Sequence, residues 1–379
     1  MPGPNKAGRF DIADIVRGHR TALESKHSLS PQQKRVLTDI ALCRTAKLGG
    51  HLDKCNDCGY ERPSYNSCRN RHCPKCQALA QEKWIADQEQ RMLDVKHFHV
   101  VFTLPAELRP LAAFAKDAAF GALFRAASAT LLEFGERRLQ ATIGATLVLH
   151  TWTRDLRFHP HVHAIVTGGG LSLDGTQWSS VRRAFLFPVK LMSRVFRGKM
   201  IDELKHAYQD GQFARFADFQ DPQAFSKLVG DLWKLPWVVY AKSTFNKGKH
   251  VLKYLGRYTH RVGIANSRLL DVTNEYVLFR TKGDGTERLE PDKFLGRFVQ
   301  HVLPDGFHKI RHYGLNASPQ KRDVARAILE LPVVAVKRLS WRERLAKLDG
   351  HDVSRCPNCS GTLISLPLML ARAPPEMAA

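Results

Sequence analysis

Along the chain, apolar positions switch between a helical period and strict alternation, and the switches mark the predicted elements. Ser30-Pro31 with Gln33 reads as a capped helix start, after which Val36, Ile40 and Cys43 share one helical face. On that face Cys43 reads as a small buried hydrophobe rather than a ligand. Residues 77–94 are helical in pattern. Residues 96–104, KHFHVVFTL, alternate as a strand and stop at Pro105. Two helices follow over 107–140, with Leu111, Phe114, Leu123 and Phe124 among their apolar residues. Residues 145–153 form a second strand, and Arg154-Asp155 turns the chain into a third, FHPHVHAIVTGGG. The expected unit is a hairpin laying FHPHVH beside ATLVLHTWT, ended by Gly168, Gly169 and Gly170. Further strands are predicted at 237–242 and 276–281 and short helices at 293–302 and 339–348, with another helix capped by Ser318-Pro319. Residues 307–315 read as an edge strand or a DNA-contacting segment. The stretch 172–234, with Arg182, Arg183, Phe185, Arg194 and Arg197, reads as an insertion, either facing DNA or plainly helical.

In the third strand, alternation turns His159, His161 and His163 to one face and Pro160, Val162, Ala164 and Val166 to the other. Histidines two apart on a strand, about 7 Å along it, have the spacing to hold one metal ion between them.

Charge narrows the partner. The 379 residues carry 58 Lys+Arg against 36 Asp+Glu, a formal +22, with a pI near 9.9. Such a field favours polyanions, nucleic acid before an anionic membrane, since no long apolar run is present. The N-terminal sequence has no apolar signal core, so export is not expected and the cytoplasm is the predicted location. No GxxxxGK[ST] loop occurs, which argues against an ATPase or helicase.

Cys55-x2-Cys58 and Cys73-x2-Cys76, separated by fourteen residues, have the spacing of one Zn²⁺ site in a ribbon-like module, with Cys68 and His72 as spare ligands. Between the pairs, Arg62, Arg69, Arg71 and Lys75 alternate with Tyr60 and Tyr65, which suits DNA contact or simply a solvated basic loop. Cys356-Pro-Asn-Cys359 is half a knuckle. It is either a metal-free turn or part of a second zinc site completed by His351, or by Cys68 and His72.

From Ala241 to Leu270 there are seven Lys/Arg and no acids. Helical periodicity there stacks His250, Tyr254 and Tyr258 among Lys247, Lys249, Lys253, Arg257 and Arg261. Lys247, Lys253, Arg257 and Arg261, with Arg69 and Arg71, are the DNA-contact candidates.

His161-Val162-His163 resembles the His-hydrophobic-His (HUH) motif of rolling-circle nucleases, and Tyr254-x3-Tyr258 the paired tyrosines of their transposase branch. With CRNRHCPKCQ, FHVVFTLP, YLGRYTHR and FHKIRHYGL in order, the chain resembles the insertion sequence 91 family of transposases over about residues 10–350. The resemblance implies an α+β fold: an antiparallel HUH-nuclease sheet with flanking helices, an N-terminal helical and zinc-ribbon-like module, and a basic C-terminal helical lobe. The expected boundaries are 1–95 for the zinc module, 96–300 for the catalytic domain with its insertion, and 301–379 for the lobe with CPNC and a disordered tail. It implies nicking and joining of single-stranded DNA through a 5′-phosphotyrosine, with Tyr254 and Tyr258 as nucleophiles and Mg²⁺ or Mn²⁺ on His161 and His163. His159, His99 and His250 are candidates for a third ligand. The partners implied are single-stranded element ends and target DNA, with host replication factors. Two alternatives stay open: a non-catalytic zinc-containing DNA-binding protein, and a plasmid relaxase or replication initiator of the HUH class.

Overall fold

The computed structural model describes residues 10–181, 186–219, 221–245, 263–332, 339–350 and 352–368. The fold is mixed α+β with antiparallel sheets. Its centre is a sheet in the order β11-β4-β5-β3-β7: Ile310–Gly314 (β11), Ala141–Trp152 (β4), Phe158–Ser172 (β5), His97–Thr103 (β3) and Val239–Phe245 (β7). A short strand, Trp178–Ser180 (β6), pairs with the far end of β5. Every pairing is antiparallel.

Alternation divides this sheet into two faces. One carries Phe98, Val100 and Phe102 of β3, Ile143, Ala145, Leu147 and Leu149 of β4, and Val162, Ala164 and Val166 of β5. Against it lie helices Lys116–Leu139 (α5) and Val189–Gln209 (α6), with Phe120, Phe124, Met192, Phe196 and Met200 fully buried. Helix α6 falls inside the stretch expected to be an insertion. Its apolar stripe packs into the layer that closes the main core. Such side chains are worth about 1.5–3 kcal/mol each when fully buried, so this layer is integral to the sheet.

Gly168, Gly169 and Gly170 were expected to end β5, but the strand continues to Ser172. A Cβ on them would meet Lys96 O at 2.9 Å, Ser179 O at 2.6 Å and Thr142 O at 2.5 Å. The glycines therefore allow close approach of neighbouring backbone rather than terminate the strand.

A second core joins distant parts of the chain. Helices Ile12–Lys26 (α1) and Pro31–Leu42 (α2) contribute Ile15, Val16, Leu37 and Ile40, packed against Phe294 and Phe298 of helix Pro291–Gln300 and Val277 and Phe279 of a small meander. That meander comprises Leu269–Val272 (β8), Val277–Arg280 (β9) and Thr286–Leu289 (β10). Ser30 caps α2 in a capping box with Gln33, as the sequence predicts. A third sheet, β12-β1-β2, is built from both ends of the chain: Gly50–Cys55 (β1), Glu61–Tyr65 (β2) and Leu363–Leu368 (β12). The expected C-terminal lobe is thus shared out, β11 to the central sheet and β12 to the N-terminal one.

Candidate metal centres and cleft

The second sheet face carries the histidines. Register places His150 of β4 opposite His161 of β5, and Val148 opposite His163. On the other side, Thr103 lies opposite His161 and His99 opposite Ile165. The ligand nitrogens of His150, His161 and His163 all lie within 4.8 Å of one another. The His161 ring donates from Nδ1 to the backbone carbonyl of His159 at 2.7 Å, leaving its Nε2 lone pair for a ligand. The nitrogens His163 Nδ1 and His99 Nε2 share a hydrogen bond of 2.7 Å with the rings stacked, so His99 orients His163. Farther along the face, Val148 and Ile165 pack with Trp84, Met92 and Ile310, Trp84 coming from helix Gln77–Arg91 (α3).

Burial pushes the His161 and His99 imidazoles down to about 4, and His163 well below its ordinary value, with neighbouring imidazoles adding to the shift on His161 and His163. His161 and His163 are therefore neutral at pH 7, the state a metal ligand requires. Three imidazoles around one point fit a divalent transition ion.

These histidines floor a cleft of about 560 Å³. Its walls include Arg154, Asp155, Arg268 and Lys282, together with Gly263. Asp155 is already paired with Arg157 at 2.8 Å, so the lining is cationic on balance.

Of the candidate third ligands, His159 instead shares a 3.1 Å hydrogen bond with Arg109, and His99 stands behind His163. The third member is His150, which the sequence reading missed. On β4, Ala145, Leu147 and Leu149 face the core, so Val148 and His150 turn to the histidine face. The register runs unbroken from Ala145 opposite Val166 to His150 opposite His161, and shifts only beyond it, between His150 and Trp152. Tyr254, Tyr258, Lys247, Lys253, Arg257, Arg261 and His250 lie outside the described residues.

The cysteines do not converge as one Cys55, Cys58, Cys73, Cys76 site. Among the described residues they form two tetrads, Cys43, Cys68, Cys73 and Cys76, and Cys55, Cys58, Cys356 and Cys359. In the first tetrad, Cys43–Cys76 and Cys68–Cys76 sulfur separations are 3.6 and 3.7 Å. Four thiolates at about 2.3 Å from a tetrahedral Zn²⁺ stand about 3.8 Å apart, so the set fits zinc. Cys43 is buried, as its helical face implied, but it caps the end of α2 with its sulfur turned into this tetrad. The spare His72 serves as an acceptor, taking the Leu303 N–H at 3.1 Å.

The basic loop is mostly committed internally. Arg71 donates to the backbone carbonyls of Phe307 and Pro304, Arg62 pairs with Asp53 at 3.0 Å, and Lys75 pairs with Asp11. Arg69 is exposed.

Comparison with known proteins agrees with both regions. Residues 15–104 match the family described as "Transposase zinc-binding domain", and residues 144–323 the family described as "Putative transposase". Over 376 residues the chain is 42% identical to "Putative transposase y4qJ" of Sinorhizobium fredii, covering 94% of each. It is 31% identical over 297 residues to the transposase for insertion sequence element IS801 of Pseudomonas savastanoi pv. phaseolicola, covering 74% of this chain and 70% of that one. Among solved structures, the conjugative relaxase TrwC in complex with oriT DNA, a metal-free structure, aligns at 13% identity with a TM-score of 0.25 over 67% of this chain and 95% of that one. A likeness that loose says nothing about chemistry here. No helix among the described residues is long and apolar enough to cross a membrane. The two family matches and the extended identity to these transposases show that the chain belongs to the insertion sequence 91 family of transposases.

Proposed function

We propose that this transposase nicks and joins single-stranded DNA at element ends, through a covalent 5′-phosphotyrosine, in rolling-circle transposition. The observation that carries the reading is the convergence of three imidazoles on the floor of a cationic cleft. His150, His161 and His163 would hold Mg²⁺ or Mn²⁺, whose charge polarises the scissile phosphate. An all-nitrogen trio favours Mn²⁺ over Mg²⁺. His99 holds the His163 ring in place. Arg154, Arg268 and Lys282 attract the DNA backbone and help offset the charge that gathers on the phosphoryl oxygens.

Tyr254 and Tyr258 are the nucleophiles in this reading. Gly263 lines the cleft only five residues after Tyr258 in the chain. That is at most ~18 Å of extended backbone, which is compatible with attack at this site. The phenolic oxygen bonds to phosphorus, the bond from phosphorus to the 3′ oxygen breaks, and the proton lost by tyrosine is balanced by the one the leaving 3′-OH gains. The second tyrosine serves a second cleavage while the first link persists. A free 3′-OH reverses either step, so joining needs no external energy source. The enzyme would act in the cytoplasm, on its element and target DNA, with Arg69 available for DNA contact.

The test is incubation of the full chain with Mn²⁺ and single-stranded element-end DNA. A covalent adduct is expected, lost in Tyr254→Phe/Tyr258→Phe. Absence of an adduct from the wild type on every element-end strand would overturn the enzyme reading and leave a zinc-containing DNA-binding protein.

A further inference from the structure

We infer that the chain holds a second structural zinc ion, in a ribbon whose two halves come from opposite ends of the sequence: Cys55 and Cys58 with Cys356 and Cys359. Both family matches end before residue 324, so neither reaches the second pair.

The two halves are built alike. In the first, the Cys55 N–H donates to Tyr60 O at 2.8 Å and the Gly59 N–H to Cys55 O at 3.2 Å. In the second, the Cys356 N–H donates to Gly361 O at 2.8 Å and the Ser360 N–H to Cys356 O at 2.9 Å. The same two bonds thus recur at the same spacing from the first cysteine of each pair. The residue after the second cysteine is left-handed in both, Gly59 at φ 71° and Ser360 at φ 60°. Serine bears that conformation at a cost, since its Cβ crowds the backbone there. Matching turns of this kind point two thiolates of each pair toward a common point.

The sulfurs meet across the pairs. The Cys55–Cys359 separation is 3.5 Å and Cys58–Cys356 is 3.6 Å, near the ~3.8 Å edge of a zinc–thiolate tetrahedron. No pair is disulfide-bonded. The two turns touch: a Cβ on Gly361 would lie 2.0 Å from the Asp57 carboxylate of the other turn. Strand β12 then pairs with β1 over six residues, from Cys55 opposite Leu363 to Gly50 opposite Leu368. Asp53 fastens the three strands, accepting from Ser64 of β2 and Ser365 of β12, both at 2.8 Å. The metal-free alternative leaves four thiols packed together with little apolar cover beyond Leu363 and Tyr60.

The test counts zinc. In a full-length chain carrying His161→Ala and His163→Ala, so that the histidine cluster cannot contribute, we expect two zinc ions per chain. Adding Cys356→Ser and Cys359→Ser should leave one. A single zinc before and after these changes overturns the inference. A labelling experiment on the wild type guards against misfolding of the variant. Cys58 and Cys359 are exposed, so as free thiols they are open to iodoacetamide at alkaline pH. Mass mapping should find both protected in the zinc-loaded chain and released by a chelator. Labelling of both at the free-thiol rate in the zinc-loaded chain would equally overturn it.

Discussion

The histidine cluster and the second cysteine tetrad each gather several potential metal ligands, yet they are assembled by different means. His150, His161 and His163 come from two consecutive strands of a hairpin that is part of the main core. Cys55 and Cys359 are 304 residues apart and meet at the edge of the molecule, in a sheet with few buried apolar residues. Closing a loop of about 300 residues rather than one of about 13 costs roughly 3 kcal/mol more in chain entropy. A hairpin turn supplies the first closure. The second relies on the ribbon contacts and the ion they suit. Chemistry that must be positioned finely rests on the rigid sheet, while thiolate ligation serves to hold the chain ends together.

The largest expected effect separates the two regions by function. His161→Ala should lower metal-dependent nicking by about 10²–10³-fold or more and leave the cysteine-bound zinc untouched. His150→Ala should raise the Mn²⁺ concentration for half-maximal nicking by about tenfold or more. If metal dependence is unchanged, the site is a pair and the comparison loses its third ligand. Nicking rates as a function of Mn²⁺, with zinc content measured in parallel, check both.

A middle-sized effect belongs to the ribbon. Asp53 is buried, with Ser64, Ser365 and Arg62 all donating to its carboxylate. Burial alone would raise its pKa, but those three bonds outweigh it and hold the group below its ordinary value. Asp53→Ala should leave these donors unpaired and cost about 1–3 kcal/mol in the ribbon, read as faster exchange of β1 and β12 amides, with nicking retained. Loss of nicking in step with the ribbon would show that the regions are not separable.

The smallest effect concerns pH and lies on the sheet side. His301 is fully buried, donates from Nε2 to Leu156 O at 3.1 Å, and has its Nδ1 3.1 Å from the Thr151 hydroxyl. Burial pushes its pKa down to about 4. The unfolded chain takes up this proton near pH 6.5 and the folded chain only near 4, so its stability contribution is intact above 6.5 and is lost as pH falls toward 4. About 1 kcal/mol should disappear by pH 5.5. His301→Gln should flatten that acid limb in urea unfolding curves, and an unchanged slope would place the titration elsewhere.

Much of the central sheet was legible in advance. Alternation in KHFHVVFTL and FHPHVHAIVTGGG, and the turn at Arg154-Asp155, placed β3 and the β4–β5 hairpin. The Ser30, Gln33 and Ser318 signals placed two helix starts. His150 was missed because alternation in ATLVLHTWT gives its face but not its cross-strand partner, which only the register between β4 and β5 supplies. The partners of the CxxC pairs were hidden because proximity in sequence suggests pairing, whereas two of the ligands of each tetrad come from elsewhere in the chain. Arg71 read as a DNA contact because a basic loop residue looks the same whether it faces a phosphate or backbone carbonyls.

By itself the sequence determined the local elements, the basic charge, the histidine face of β5, the presence of zinc-type cysteine pairs and the family. The elements, the histidine face and the cysteine pairs follow from short-range periodicity and spacing, the charge from composition, and the family from the resemblance of its ordered motifs, none of which needs knowledge of what lies across the molecule. Only the tertiary structure decided that His150 completes the trio, that Cys43 and Cys68 join Cys73 and Cys76, and that Cys356 and Cys359 join Cys55 and Cys58. Those choices depend on strand register and on which distant strands pair, quantities set by packing and loop closure over the whole chain.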